Sequence, residues 1–114
     1  MLSKLLPHEW RKLLAEGVGT FALVFMGAGA IITNGVTDNG VGLLGIALAH
    51  GLTLVFVICA FGDISGAHIN PAVTLGFVVT RRISINLGIA YAAAQLLGGI
   101  LGALVLAVLM PDSF

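Results

Sequence analysis

The chain has 114 residues, 59% of them hydrophobic and only 9% charged, with a mean hydropathy of +1.13, which lies far outside soluble composition and predicts a membrane protein. Five basic and five acidic side chains cancel, and the basic ones are too dispersed to form a phosphate-binding stripe, so nucleic-acid binding is set aside. Glu9, Glu16, Asp38, Asp63 and Asp112 fall in separate elements; without a paired-carboxylate, Ser/His/Asp or Gly-rich phosphate arrangement, neither an enzyme nor a cofactor or metal is expected. Cys59, the single cysteine, has no neighbour at metal-ligand spacing and reads as packing.

A helix needs roughly 20 apolar residues to cross the hydrocarbon core, and three stretches qualify. The first span covers about 11–34, with its apolar run from Leu13 to Thr33, too long for a cleavable signal peptide. Asn34, Gly35, Asp38, Asn39 and Gly40 form a turn-rich link to the second span, 41–62. The third, 84–110, ends at Pro111. Lys4, Arg11 and Lys12 precede the first span, Arg81 and Arg82 precede the third, and none lies in the first link. The basic-residue bias therefore predicts a cytoplasmic N-terminus. Trp10 and His8 suit the cytoplasmic interface. Small residues recur every four positions at Ala47 and Gly51, and at Ala94, Gly98 and Gly102. They read either as helix-packing seams or as the ordinary glycine and alanine content of membrane helices.

Between the second and third spans, segment 63–80 divides in two. Asp63 to Asn70 is polar and cannot cross lipid with its backbone unpaired; from Pro71 to Thr80 the chain is apolar again. Asn70 is a favoured N-cap and Pro71 suits the first helical position, while Arg81 and Arg82 complement the helix's negative end. Ten residues span roughly 15 Å, about half the hydrocarbon thickness. This predicts a re-entrant half-helix whose N-terminus points to mid-membrane, reached by extended chain over 65–69. Irregular backbone at that depth is tolerated only where protein buries it or it lines a water-filled cavity, which argues for a pore or binding site at Asn70. If the Asn70 carboxamide oxygen caps the helix, its NH2 remains free to donate to a solute, while the positive helix end repels cations. Asn-Pro-Ala alone is an ordinary helix start; the half-length, the polar approach and the basic exit give it meaning.

These residues resemble the aquaporins and glycerol facilitators, whose signature has the form Ser-Gly-x-His-x-Asn-Pro-Ala-Val-Thr and reads here from Ser65 through Asn70, Pro71 and Ala72 to Thr74. The likeness extends to "AEGVGTFALVFMGAGA" from Ala15, "GIALAHGLTL" from Gly45 and "AAAQLLGGILGAL" from Ala92. It implies a single all-α membrane domain over 1–114, with three transmembrane helices plus one re-entrant half-helix, as the first of two inverted repeats. The second Asn-Pro-Ala turn and the arginine that follows it in the family are not in this sequence, so the chain is expected to be half of a longer channel. The resemblance further implies passage of water or small neutral solutes, a bilayer setting in the cell membrane, the missing second half as partner and a homotetramer when complete.

By position, the carbonyls of Gly66, Ala67, His68 and Ile69 become a ladder of acceptors, and His50 takes the second-span place in the outer constriction. There a histidine widens and polarises the filter for ammonia or urea, although a lone membrane histidine is also often structural. Glu16 requires a partner inside the membrane. The family suggests the re-entrant loop, through its backbone N–H groups or His68; a snorkelling interfacial glutamate is the alternative. His68 reads as a loop brace rather than a proton carrier, and Gln95 as a hydrogen-bonding group within the bundle. Thr20, Thr53 and Tyr91 receive no assignment. Two other classes compete with the channel half. One is an ion-coupled antiporter with Glu16 as its coupling site; the other is a non-conducting subunit that packs on intact channels through the Gly98/Gly102 seam.

Overall fold

The computed structural model describes residues 2–114, with side chains from Glu9 onward, so Lys4 and His8 lie outside the described side chains. Four α-helices follow one another: α1 (Leu2–Val36), α2 (Gly42–Ser65), α3 (Pro71–Val79) and α4 (Ile85–Leu109), closed by a 3-10 turn at Pro111–Ser113. Glu9–Val36 of α1, together with α2 and α4, are long and apolar enough to cross a membrane. The chain is all-helical, with three candidate spans and one short helix.

Several boundaries differ from the sequence reading. Helix α1 continues past Thr33 because Asn34 does not break it. Its side chain takes the Gly42 N–H at 2.8 Å and donates to Asn39 at 3.1 Å, tying the turn back to the helix end. Helix α2 runs on through Asp63 to Ser65, so the extended approach begins only at Gly66. The stop is set by Gly66 in the left-handed region (φ 87°), with its N–H on the Gly62 carbonyl, a conformation that glycine adopts without steric cost.

Helix α3 begins as its residues dictate. Asn70 is extended, its side chain accepts the Ala72 N–H at 2.8 Å, and Pro71 occupies the first turn. Nine residues at 1.5 Å give about 14 Å, a half-span. Ser84 caps α4 in the same way, accepting from Leu87 N.

Helix α1 is the centre of the packing, lying against both α2 and α4, while α3 rests on α4. The α4 seam explains the closeness of α1 and α4. A Cβ at Gly98 would lie 2.0 Å from the Gly17 carbonyl oxygen, and one at Gly102 would lie 3.0 Å from that of Phe21. Only a residue without a side chain lets the backbones meet there, and in lipid such packing supplies the association energy that water-driven burial cannot. This corrects the idea that Gly98 and Gly102 dock the chain onto an intact channel, since α1 already occupies that seam. The Ala47/Gly51 stripe behaves differently: a Cβ at Gly51 meets nothing within 4 Å. Cys59, expected to be packed, is free and exposed, because it sits on a face of α2 turned away from α1.

Candidate functional site

The segment between α2 and α3 carries unusual backbone, as do the α1–α2 turn at Asp38 and Asn39 and the α3–α4 link at Arg81. Ala67 (φ 48°) and Ile69 (φ 57°) join Gly66 in the left-handed region, where each non-glycine residue costs on the order of 1–3 kcal/mol unless its surroundings hold it. The hold comes from Glu16, which is wholly buried. One carboxylate oxygen accepts the Ser65 hydroxyl at 2.7 Å and the His68 N–H at 2.9 Å. The other accepts the Ile69 N–H at 2.7 Å and the Gln95 amide at 2.8 Å. All four acceptor sites of a carboxylate are thus used on groups from three other elements. A charge that would be costly alone in the membrane becomes the loop's anchor.

A second layer surrounds this anchor. Gln95 also donates to Thr74 Oγ1 at 3.0 Å, and the same hydroxyl shares a 3.0 Å hydrogen bond with His68 Nδ1. Reversing the Gln95 amide would turn its oxygen on the Glu16 carboxylate, so its orientation is determined. The His68 ring stacks on Phe77 at 4.3 Å and meets the edge of Tyr91 at 5.1 Å. Tyr91 donates to the Ser65 carbonyl at 2.7 Å, and Thr20 to the carbonyls of Glu16 (2.8 Å) and Ile69 (3.2 Å). Gly19 completes the cradle: a Cβ there would strike the Ile69 side chain.

What remains outward is polar and arranged. Asn70, Pro71 and Ala72 are exposed while His68 and Ile69 are buried. With Oδ1 committed to the cap, the Asn70 NH2 meets no acceptor among the described residues. Among those residues the carbonyls of Gly66, Ala67 and His68 also accept no hydrogen bond, whereas that of Ile69 accepts from Thr20. The arrangement presents one oriented donor beside several free acceptors, which suits a small solute that both donates and accepts.

His50 lies apart from this loop, in the body of α2. Its Nδ1–H donates to the Ile46 carbonyl at 2.8 Å, and its ring covers Gly27 of α1, where a Cβ would lie 2.5 Å from Nε2. Thr53 bonds back to Ala49 at 2.6 Å. The roles of Ser65, Thr74, Tyr91, Thr20, Gly19 and Gly27 were not legible beforehand. For Thr20 and Tyr91 the signal was a hydroxyl inside an apolar span, and for Ser65 and Thr74 their place in the re-entrant segment; neither signal names a partner.

Fold and site define an integral membrane protein of several spans that holds a strained polar loop at the tip of a half-length helix. The chain belongs to the major intrinsic protein family, whose model matches residues 3–113. It is similar to Aquaporin Z of Brucella melitensis, 48% identical over 99 residues (86% of this chain, 43% of that protein). Aquaporin Z of Photorhabdus laumondii is 46% identical over 100 residues (87% and 43%). Aquaporin NIP1-1 of Arabidopsis thaliana is 44% identical over 99 residues (87% and 33%). The chain thus spans between a third and a little over two-fifths of these relatives' length.

Proposed function

We infer that the chain is the first half of a passive channel for water and small neutral solutes, with Asn70 as the donor at mid-membrane and the carbonyls of Gly66, Ala67 and His68 as the acceptors leading to it, while that of Ile69 is held by Thr20. The observation that carries this reading is the divided use of Asn70. Its oxygen is held by the Ala72 N–H at 2.8 Å, so its exposed NH2 is oriented toward a solute at the positive end of a half-helix, where a cation is disfavoured. The distribution of Lys and Arg supports an N-terminus in the cytoplasm, and the setting that goes with this reading is the cell membrane. Conduction requires the opposing inverted half to complete the constriction, and the complete channel assembles as a homotetramer.

Glu16 weighs against an antiporter. A coupling carboxylate must exchange protons or ions with water, whereas this one is fully buried and accepts four hydrogen bonds. The test is osmotic shrinkage of proteoliposomes. Residues 1–114 alone should give background water flux, and co-reconstitution with the second half of an aquaporin Z relative should give fast, proton-independent flux. Proton-coupled uptake by residues 1–114 alone would overturn the channel reading. In the completed channel, His50→Phe should reduce ammonia and urea passage while leaving water flux; unchanged selectivity removes His50 from the filter.

A further inference from the structure

Arg81 and Arg82 are adjacent basic residues at the end of α3 that take no part in the loop chemistry. Both are exposed, and the one ion pair among the described residues is Lys12–Glu9, far along the chain. Arg82 is held with its guanidinium 5.9 Å above the Phe77 ring, so this cation is partly positioned before any anion arrives. The two arginines line a cavity of about 570 Å³ together with Val78, Ile83 and Ile85. A second cavity of about 240 Å³ shares Val78 and Ile85 and continues between α3 and α4 past Leu75 and Ile89 to Pro71 and Ala92. The two cavities adjoin at Val78 and Ile85 and together form a groove that carries the arginines at one end and mostly apolar residues along the rest.

The dimensions identify an occupant. Because α4 is a span, its N-terminal end lies at a membrane surface, and Arg81 and Arg82 precede that end by only a few residues. The groove then follows α3 for its full length, about 14 Å, close to the thickness of one leaflet's hydrocarbon. A headgroup phosphate fits two guanidiniums in a way that a zwitterionic lipid's neighbouring ammonium opposes. We propose that the α3–α4 groove is a binding site for one anionic phospholipid, with the phosphate on Arg81 and Arg82 and one acyl chain lying along Val78, Ile85 and Ile89 toward Ala92. The site lies between α3 and α4 and requires no conduction by the chain.

The experiment is native mass spectrometry of residues 1–114 released from detergent after titration with phosphatidylglycerol or phosphatidylcholine. One saturable phosphatidylglycerol adduct is expected, retained over phosphatidylcholine by about fivefold for each contributing arginine. The Arg81→Gln/Arg82→Gln variant should bring the two lipids to parity with unchanged helical circular dichroism, while Arg81→Lys/Arg82→Lys keeps most of the preference. Ala92→Phe, which fills the lower groove, should weaken the phosphatidylglycerol adduct although both arginines remain. Equal retention of the two lipids by the parent, or an unsaturating series of adducts, overturns the site. So does a preference that survives Arg81→Gln/Arg82→Gln. Displacement of the lipid by millimolar inorganic phosphate would also overturn it, reassigning the arginines to a free anion.

Discussion

Replacing Glu16 by glutamine tests whether one carboxylate holds the re-entrant loop. Glutamine keeps the shape but has one acceptor oxygen where glutamate has two, and each oxygen now serves two donors. If the new NH2 faces the Ser65 side, the hydroxyl can turn to accept it, but the His68 N–H loses its partner. If it faces the other side, Gln95 can reverse its amide, whose oxygen has no partner among the described residues, and the Ile69 N–H is orphaned instead. Either way one buried backbone donor is left unpaired, at about 1–3 kcal/mol, and the surviving bonds drop from charge-assisted to neutral strength, about half as strong. Hydrogen bonds inside membrane proteins tend to contribute less than in water-soluble ones, averaging about 0.6 kcal/mol. A total of about 2–4 kcal/mol is therefore expected for Glu16→Gln, concentrated in the loop because Ala67 and Ile69 can then relax from positive φ. Unfolding in mixed micelles measures the total, and amide hydrogen exchange at His68 and Ile69 locates it. A variant within 0.5 kcal/mol of the parent (a margin set by ordinary surface substitutions, about ±0.5), with protection at both amides unchanged, would refute the anchor role.

Gly98→Ala should destabilise by about 1–3 kcal/mol or more through forced separation of α1 and α4, because the added methyl meets the Gly17 backbone. Gly51→Ala, with open space around it, should be neutral or stabilising by up to about 1 kcal/mol; equal effects of the two in mixed-micelle unfolding would refute the seam assignment. Asn70→Asp retains the cap acceptor for Ala72 but removes the NH2. It should therefore leave helix content and stability close to the parent while abolishing water flux in the completed channel, whereas Asn70→Ala should cost about 1 kcal/mol through loss of the cap. Normal flux in Asn70→Asp would show that the amide donor is dispensable.

The half-helix was legible because its signals are local. Asn70, Pro71 and the length of the apolar run act within a single turn or along one helix, and the structure has the cap bond that those residues allow. The end of α2 is hidden for a related reason: Asp63 and Ser65 are polar, but polarity does not end this helix, and the left-handed conformation of Gly66 does. The small-residue repeats looked alike in the sequence at Ala47/Gly51 and Gly98/Gly102. Whether such a seam is occupied depends on which helix lies against it, and no spacing within one helix contains that information.

The sequence by itself determined the membrane setting, the three apolar stretches, the half-length helix and the buried charge that had to find a partner, because hydropathy, capping and desolvation act on residues close together in the chain. Only the tertiary structure decided the partners. Glu16 gathers groups between 49 and 79 residues away, and Tyr91 reaches the Ser65 carbonyl from another helix. Gly98 meets the Gly17 backbone because it carries no side chain. These pairings follow from how α1, α2 and α4 pack: the buried carboxylate selects the loop whose free N–H groups come within reach, and that geometry arises only when all the helices are in place.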